Sequence, residues 1–310
     1  MALTDRDTSL NYIGELFMIG ANQTPFLQMI GGVGGANAKA TSSMIYPMGQ
    51  TWSPTAGAIP TIDEDELVTA GTADTVARAQ VLNTVQIFQK YVTVSDLKQA
   101  DKGTLAGLSA LGNQPVMDEF GFQKMAQLKK MANDMNLAFL TGTYAAAADS
   151  STPAQTNGII TACTTNTVAA DAAKVTKAMI DALFLEMANA GAPFENIKIF
   201  CNSFNKGVLT DIYGYAPESR SVGGANITRI ITNFCEADVV FDPTVPAATI
   251  LVADMNYIAP VFLPNDGGMG VWYTDLARTA GAKNGMFESF AGIDYGNERF
   301  HGTLTNCATA

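Results

Sequence analysis

The sequence predicts an α+β protein, and three features support that fold class. Residues 283–304 alternate apolar and other side chains at the two-residue period of a β-strand, with Phe287 and Ile293 on one face. Residues 118–140 carry apolar side chains at the three- and four-residue spacing of a helix. Across residues 155–270, helical segments alternate with short apolar strands. Such a mixture folds into helices packed on sheets.

The composition predicts a protein that associates with copies of itself. The chain has 310 residues, of which 47% are hydrophobic and 15% charged, whereas soluble domains carry about 25% charged residues. An apolar-rich surface with few charges favours association, so homo-oligomerisation is expected. The net charge of −11 argues against a protein that grips nucleic acid through its phosphates, although it leaves a local basic patch open.

The sequence carries no pattern typical of a zinc site, a signal peptide or a membrane span. The cysteines lie far apart, without CxxC pairs or nearby histidines, so we expect reduced thiols. Acidic residues occupy the N-terminal stretch where a signal peptide carries basic ones, and no apolar run reaches about 18 residues. We therefore expect a soluble protein made in a reducing cytoplasm. The cysteines are Cys163, Cys201, Cys235 and Cys307.

Residues 1–40 lack a sustained helical or strand period and are interpreted as an arm that lies on a neighbouring chain. The glycine cluster at residues 31–35 matches a dinucleotide-binding fingerprint only in part, because Asn37 stands where the third glycine belongs. We interpret this cluster as a turn.

Two strand-like stretches, residues 44–52 and 76–94, flank a segment rich in proline and glycine and predict a long hairpin with a loose tip. An acidic run lies near the tip. It does not fit an EF-hand loop, because Val68 occupies the position that requires glycine. The run is either a solvated charged surface or a contact for basic side chains of a neighbouring subunit, where it would set register. These candidate intersubunit contacts are Asp63, Glu64, Asp65 and Glu66.

Residues 118–140 form the clearest predicted helix, about 35 Å long at the helical rise per residue. Asp118 and Glu119 favour its N-terminus through the helix dipole, and Gly142 follows its end. Its apolar residues are expected to pack into a core, so an aspartate placed among them should unfold the protein. The predicted stripe consists of Leu128, Met131, Met135 and Phe139.

The segment of residues 155–270 predicts a compact α+β domain. Its elements are predicted from apolar periodicity, helix caps and the prolines between strands. Helices are expected at residues 175–190 and from the cap Asn202 or Ser203 to Tyr213, and strands at residues 197–201, 227–232, 238–241, 249–252 and 257–263.

The closing stretch, residues 283–304, would span about 70 Å as one straight strand, whereas strands in compact domains are usually about 3 to 10 residues long. The chain therefore bends here or the protein is elongated, and Gly292 and Gly296 are the predicted positions of a bulge or bend. His301, the only histidine, is expected to be a structural or surface residue at the strand end. Replacing it with alanine should have little effect on folding.

The sequence predicts no catalytic, cofactor or metal site. One histidine cannot form a metal centre alone, and no GxSxG, HExxH or P-loop motif occurs. Carboxylate pairs stay open as candidates, because their separation in space is not legible from sequence. The pairs considered are Glu288 with Asp294 and Asp238 with Asp242.

The order of arm, hairpin, long helix, α+β domain and closing strand resembles that of the major capsid proteins of tailed bacteriophages (Caudoviricetes), which share the Hong Kong 97-like fold. Residues 118–142 resemble the family's spine helix, and residues 156–162 resemble the turn that enters its axial domain. Residues 231–263 together with 286–304 are similar to its closing sheet.

This resemblance implies an α+β, Hong Kong 97-like fold with four parts. It places an N-terminal arm at residues 1–43 and an extended loop (E-loop) at residues 44–94. The peripheral domain, with spine helix and long sheet, would comprise residues 95–154 and 271–310, and the axial domain residues 155–270.

The resemblance implies a major capsid protein, a structural protein rather than an enzyme, that self-assembles into hexamers and pentamers of an icosahedral shell around double-stranded DNA. Its partners would be itself and, in the virion, portal, scaffolding and decoration proteins, with no sequence-specific DNA binding and no membrane. It would be located in the virion capsid after assembly in the host bacterial cytoplasm. The alternatives are a soluble carboxylate-dependent hydrolase, or another virion or surface-array structural protein.

Overall fold

The computed structural model describes residues 23–32, 37–52, 59, 63–65, 68, 76–100, 119–214, 228–265 and 268–309. In these ranges the chain is a mixed α+β protein with three β-sheets. Its helices are α1 (Pro25–Met29), α2 (Asp96–Ala100), α3 (Glu119–Thr141), α4 (Ile159–Ala162), α5 (Lys177–Asn189) and α6 (Ser203–Tyr213). Its strands are β1 (Lys39–Ala40), β2 (Ile45–Trp52), β3 (Arg78–Thr84), β4 (Gln86–Ser95), β5 (Thr167–Ala169), β6 (Ile197–Cys201), β7 (Arg229–Ile231), β8 (Glu236–Phe241), β9 (Ile250–Asp254), β10 (Ala259–Phe262), β11 (Trp272–Thr279), β12 (Ala282–Asp294) and β13 (Gly302–Thr305).

The first sheet is organised around β12. One edge of β12 pairs antiparallel with β4, in a register that runs from Ala282 opposite Ser95 to Ala291 opposite Gln86. Its other edge pairs antiparallel with β11 through its first half and with β10 through its second half, and β1 lies beyond β10. The predicted core face is confirmed, because all five of its residues are buried, four in β12 and one just after it. They are Phe287, Ser289, Ala291, Ile293 and Tyr295. The opposite face is only half-buried from Met286 to Phe290, but it is also buried at Gly292 and Asp294.

The closing stretch is two strands rather than one. Strand β12 ends at Asp294, and the chain then turns through Gly296, whose φ of 64° lies in the left-handed region that glycine adopts without strain. A 3-10 turn over Glu298–Phe300, capped by the Asn297 side chain, leads into β13. Strand β13 belongs to the second sheet, so the chain leaves one sheet and enters another at Gly296.

Gly292 does not form a bulge, in contrast to the expectation. It lies within the regular pairing of β12 with β10, opposite Val261. A Cβ atom at this position would lie 2.5 Å from the hydroxyl of Tyr46 and 3.0 Å from the carbonyl oxygen of Thr84. Glycine is therefore required because the base of the β2–β3 hairpin approaches the β12 backbone closely.

The second sheet has the order β5-β13-β9-β6-β8-β7 and mixes parallel with antiparallel pairs. Its central strand β9 is buried along its whole length. Ile250 and Val252 belong to a core with α5 and α6, whereas Leu251 belongs to the main core with α3. The predicted strand at residues 197–201 and the Asn202 cap of α6 are confirmed, since the Asn202 side chain accepts a hydrogen bond from the Asn205 backbone.

Helix α3 is the predicted long helix, although one residue of its predicted apolar stripe is exposed rather than buried. Met131, Met135 and Phe139 are fully buried, and the Phe139 ring meets Phe88 of β4 edge to face at 6.3 Å. Leu128 is 37% exposed, which corrects its predicted place in the core. All the buried residues of α3 except Phe120 lie in its C-terminal half, so the same helical spacing leads to different burial in the two halves. Asp118 lies outside the described residues.

Part of the predicted arm packs on its own chain. Phe26, Leu27 and Ile30 of the α1 segment are buried in the main core, and the Phe26 ring contacts Phe200 of β6 edge to face at 5.3 Å. Gly31 and Gly32 have positive φ, as expected of a turn. Residues 1–22 and 33–36 lie outside the described residues.

The second predicted hairpin strand also divides between two sheets. Strands β2 and β3 pair antiparallel to form a two-stranded sheet, but after Val85 the chain continues as β4 in the first sheet. The structure thus contains a shorter hairpin whose second strand runs directly into the body. Val85 is 2% exposed, so the junction between the two strands is itself part of the core.

Besides β4, two strands lie in sheets other than those that the predicted domain boundaries imply. Strand β10, inside the predicted axial segment, pairs in the first sheet, and β13, inside the predicted peripheral segment, pairs in the second. Sheet membership depends on long-range pairing, which strand propensity does not specify. The division into arm, E-loop, peripheral and axial domains stays a prediction.

The difference between the buried and exposed residues of α3 gives a matched pair of substitutions. Met135→Asp places an uncompensated charge in a fully buried site, and we expect it to lower the free energy of unfolding by more than about 4 kcal/mol. Leu128→Asp lies on the surface and should change it by less than about 1 kcal/mol. Urea unfolding of unassembled protein, followed by circular dichroism, measures both. Equal effects of the two substitutions would contradict the observed packing.

His301 is a core residue, so the expectation that its replacement is harmless needs correction. It has no exposed surface; its Nδ1 accepts a hydrogen bond from the Asp254 backbone at 3.2 Å, and its Nε2 donates to the Tyr295 carbonyl at 2.8 Å. The ring links the end of β9 to the turn after β12. Burial lowers the pKa of His301, against the opposing effects of the Tyr295 hydrogen bond and the Asp254 and Glu298 charges.

We expect His301→Ala to destabilise the protein and to remove part of its pH dependence. The pKa of His301 is lower in the folded state than in the unfolded state. Once the pH falls below the unfolded-state pKa of about 6.5, the unfolded state therefore binds more protons, and acidification lowers the free energy of unfolding. The wild type should lose up to about 1.4 kcal/mol per pH unit below pH 6.5 through this residue. The stability difference between wild type and variant, measured by urea unfolding at pH 7 and pH 5.5, should therefore shrink at the lower pH. A constant difference would refute this role.

Candidate assembly surfaces

The β2–β3 hairpin, called the hairpin from here on, has a buried base and an exposed outer part. Tyr46 and Met48 lie in the main core, whereas Leu82 is 47% and Trp52 65% exposed. Two-stranded hairpins are only marginally stable alone in water. Large apolar side chains exposed on such a hairpin indicate a surface that another chain covers.

A second apolar surface lies on the face of the first sheet opposite α3. Strand β4 alternates, so that Phe88 packs toward α3 while Ile87 and Tyr91 are each 60% exposed on the other face. Their partners on β12 are Phe290 and Met286, and the Trp272 ring of β11 meets Phe290 edge to face at 5.1 Å. This face therefore presents apolar and aromatic side chains from three adjacent strands. It is a second candidate for contact with another chain.

The predicted acidic contacts lie in the segment of the chain that joins β2 to β3. Asp63, Glu64 and Asp65 are exposed and form part of a turn, and Glu66 lies outside the described residues. An exposed acidic turn fits both interpretations, a solvated surface and a contact with a neighbour's basic side chains. The intersubunit role therefore stays a prediction.

The first candidate carboxylate pair holds strands together. Asp294 accepts from the Lys39 ammonium at 2.6 Å, which connects β1 to the end of β12. Glu288 accepts from the Gln89 side chain at 2.7 Å, across the β12–β4 pair. Both carboxylates thus satisfy neighbouring donors within the first sheet.

The second candidate pair consists of one ion-paired carboxylate and one buried carboxylate that connects neighbouring elements. Asp238 lies between Lys198 and Arg229, whose hydrogen bonds and charges lower its pKa. Asp242 is fully buried, and its carboxylate accepts from Asn136 of α3 at 3.1 Å and from the Phe26 backbone at 3.2 Å. Asp242 therefore ties the end of β8 to α3 and α1. Neither residue is placed as one member of a hydrolytic pair.

A groove of about 450 Å³ runs between β4 and the C-terminal half of α3. Its lining includes residues 86–90 of β4 and Leu137 of α3, and Asp134 is the only carboxylate among the described lining residues. Asp134 pairs with Lys90 of β4. A groove with one ion-paired carboxylate does not provide the two carboxylates that the hydrolase alternative requires.

Sequence reasoning missed a group of buried hydrogen bonds at the hairpin base, called the joint from here on, which centres on Asn83. Asn83 is fully buried and forms hydrogen bonds with Asn157, in the segment just before α4, and with Ile293 of β12. Its only sequence signal is a polar amide in a strand, since asparagine is depleted in strands. Its partners are distant in sequence, so only the fold brings them together.

Two further properties concern the described residues alone. Among them, no group of three or more His, Cys, Asp or Glu side chains is arranged to hold a metal ion. No helix in the described ranges is both long enough and apolar enough to cross a membrane.

Comparison with known families identifies the chain. The family described as SU10 major capsid protein matches residues 3–308. This chain is a member of the SU10 major capsid protein family. A capsid protein forms a shell from many copies of itself, which is consistent with the exposed apolar surfaces described above. Among proteins with curated descriptions, none matches this sequence.

Solved structures of two capsids and of an encapsulin share the fold of this SU10-family protein. The cyanophage A-1(L) capsid protein matches with a TM-score of 0.66 at 12% identity, over 97% of this chain and 96% of that one. The capsid protein of a native GTA particle matches with a TM-score of 0.64 at 14% identity, over 99% and 96%. The SrpI encapsulin of Synechococcus elongatus PCC 7942 matches with a TM-score of 0.60 at 12% identity, over 100% and 98%.

These comparisons confirm the α+β, Hong Kong 97-like capsid fold that the order of elements predicted. The protein is a major capsid protein, a structural protein of the virion whose copies associate into the capsid shell. Neither the family match nor the matched structures support the hydrolase alternative.

Proposed function

We propose that this capsid protein forms hexamers and pentamers of an icosahedral shell that encloses double-stranded DNA. The observation that carries the proposal is the family match along nearly the whole chain, from residue 3 to residue 308. The apolar surfaces on the hairpin and on the first sheet add to it. Many modest contacts repeated by symmetry stabilise a closed shell without requiring any one interface to be strong.

The charge of the chain supports enclosure of DNA without tight adhesion. A net charge of −11 opposes broad neutralisation of the DNA phosphates. Weak binding of this kind suits a shell, because strong phosphate binding would hinder packaging and release of the DNA. Portal, scaffolding and decoration proteins are the partners proposed for the virion, and the host bacterial cytoplasm is the proposed place of assembly. The protein contributes architecture and no catalysis.

The acidic turn is proposed to contact basic side chains of a neighbouring subunit. Asp63, Glu64 and Asp65 are exposed near the hairpin tip, where the chain is farthest in sequence from the buried base at Tyr46 and Asn83. Complementary charges at such a position fix register and suppress wrong pairings more than they add affinity.

Deletion of residues 56–72 tests whether the hairpin tip acts in assembly. Most of these residues lie outside the described ranges. We expect the deletion variant to stay soluble and folded, because the buried base is retained, but to form few or no shells. Negative-stain electron microscopy of overexpressed wild type and variant gives the comparison. Loss of soluble folding in the variant would contradict a tip that serves neighbours only, and a wild type that stays monomeric under all conditions would refute the shell.

Neutralisation of the acidic turn tests its proposed contact. The combined substitutions Asp63→Asn, Glu64→Gln, Asp65→Asn and Glu66→Gln keep side-chain size and remove four negative charges. Salt screens exposed charges over about 8–10 Å, so wild-type assembly should weaken as salt rises while the variant should show a flatter response. Light scattering during assembly at several salt concentrations measures both. Identical salt dependence would assign the run to a solvated surface.

A further inference from the structure

The hairpin joins the body through a narrow base. Its two strands pair with each other and with no strand of the first or second sheet in the described chain. Tyr46, Met48 and Val85 bury their side chains in the main core, but apolar packing is non-directional and leaves the angle of the hairpin only loosely determined.

Asn83 supplies directional contacts at this base. Its Nδ2 donates to the Ile293 carbonyl at 2.8 Å and to the Asn157 carbonyl at 3.3 Å. Its Oδ1 accepts from the Asn157 backbone N–H and from the Thr84 backbone N–H, both at 2.8 Å. A fully buried amide with donors and acceptors in use holds one orientation, because any other leaves buried polar groups unpaired.

Two neighbouring side chains complete the same joint. The Tyr46 hydroxyl of β2 donates to the Ile293 carbonyl at 2.8 Å, and burial raises the pKa of Tyr46, which keeps that donor protonated. The Thr156 hydroxyl lies 3.4 Å from both the Asn83 Oδ1 and the Ile293 backbone nitrogen. Both hairpin strands, the segment just before α4 and the end of β12 therefore meet at one point.

We propose that Asn83 is a positioning residue that sets the angle at which the hairpin leaves the body, and that through this angle it determines the diameter and uniformity of the assembled shell. The inference rests on the proposed function, in which the hairpin contacts a neighbouring subunit. It goes further by assigning the control of shell geometry to one buried amide within each subunit.

The length of the hairpin makes a small change at its base large at its far end. From Asn83 to Arg78, the outermost residue of β3, the strand extends about 17 Å. A tilt of about 10° at the base therefore moves Arg78 by about 3 Å, a full hydrogen-bond length. An error of this size recurs at every symmetry-related contact, so it changes the curvature of the whole shell.

The test compares Asn83→Ala with Asn189→Ala, a control that makes the same substitution at the exposed end of α5, away from the two candidate assembly surfaces. Shells from overexpressed protein are sized by cryo-electron microscopy, and folding is followed by thermal unfolding of unassembled protein. We expect Asn83→Ala to remain folded, at reduced stability. The fraction of shells that have the wild-type diameter should fall about tenfold or more, because the misalignment is repeated across many contacts. Asn189→Ala should give wild-type shells. Wild-type shells from folded Asn83→Ala would overturn the proposal.

Two milder substitutions keep the test decisive if Asn83→Ala does not fold. Tyr46→Phe and Thr156→Val each remove hydrogen bonds of the joint while nearly preserving side-chain volume. A broadened diameter distribution from either folded variant supports the joint, and wild-type shells from both overturn it.

Hydrogen exchange tests the joint independently of whether a shell forms. If wild-type protein forms no shell, the proposed function fails, but the joint is still measurable in the unassembled chain. Loss of the joint, in Asn83→Ala or in the two milder variants, should speed exchange of β3 amides about tenfold or more while β9 amides stay unchanged, because only the local opening is affected. Unchanged exchange in β3 would refute the joint independently of assembly.

Discussion

The structure depends on the central position of β12 in the first sheet. This one strand pairs with β4 along one edge and with β10 and β11 along the other, while its core face packs toward α3 through residues such as Ala291 and Ile293. Removing it would separate three strands and uncover the long helix. The buried face includes Ser289, whose hydroxyl has no hydrogen-bond partner among the described residues. Its apolar neighbours are sufficient to make β12 the element around which the rest of the body is arranged.

The end of β12 also connects the other parts of the molecule. The Ile293 carbonyl accepts hydrogen bonds from Tyr46 and Asn83 of the hairpin, and at Gly296 the chain turns toward the second sheet. His301 then fastens the turn after β12 to the end of β9. A shell protein needs a body that is firm enough to hold its projecting surfaces at defined angles. These directional bonds supply that firmness where apolar packing alone would leave freedom of rotation.

Local patterns predicted much of the fold but little of its long-range pairing. The α3 helix, the Asn202 cap and the strand at residues 197–201 depend on periodicity and capping within a few residues, and the sequence carries those signals directly. The exposure of Leu128 depends on what lies opposite one half of a helix. The division of the closing stretch and the Asn83 joint depend on partners far away in sequence, for which a single sequence has no signal. Membership of the capsid protein family could be predicted because the order of helices and strands along the chain can be inferred without knowledge of those contacts.

Native-state hydrogen exchange of the unassembled protein tests the central role of β12 most directly. If β12 holds the body together, its amides between Gly285 and Ile293 should exchange only through global unfolding, with the same free energy as the buried half of α3. Amides of β3 near Arg78 should exchange much faster. Exchange of β12 at a lower free energy than α3, through a local opening that leaves the helix protected, would contradict the account.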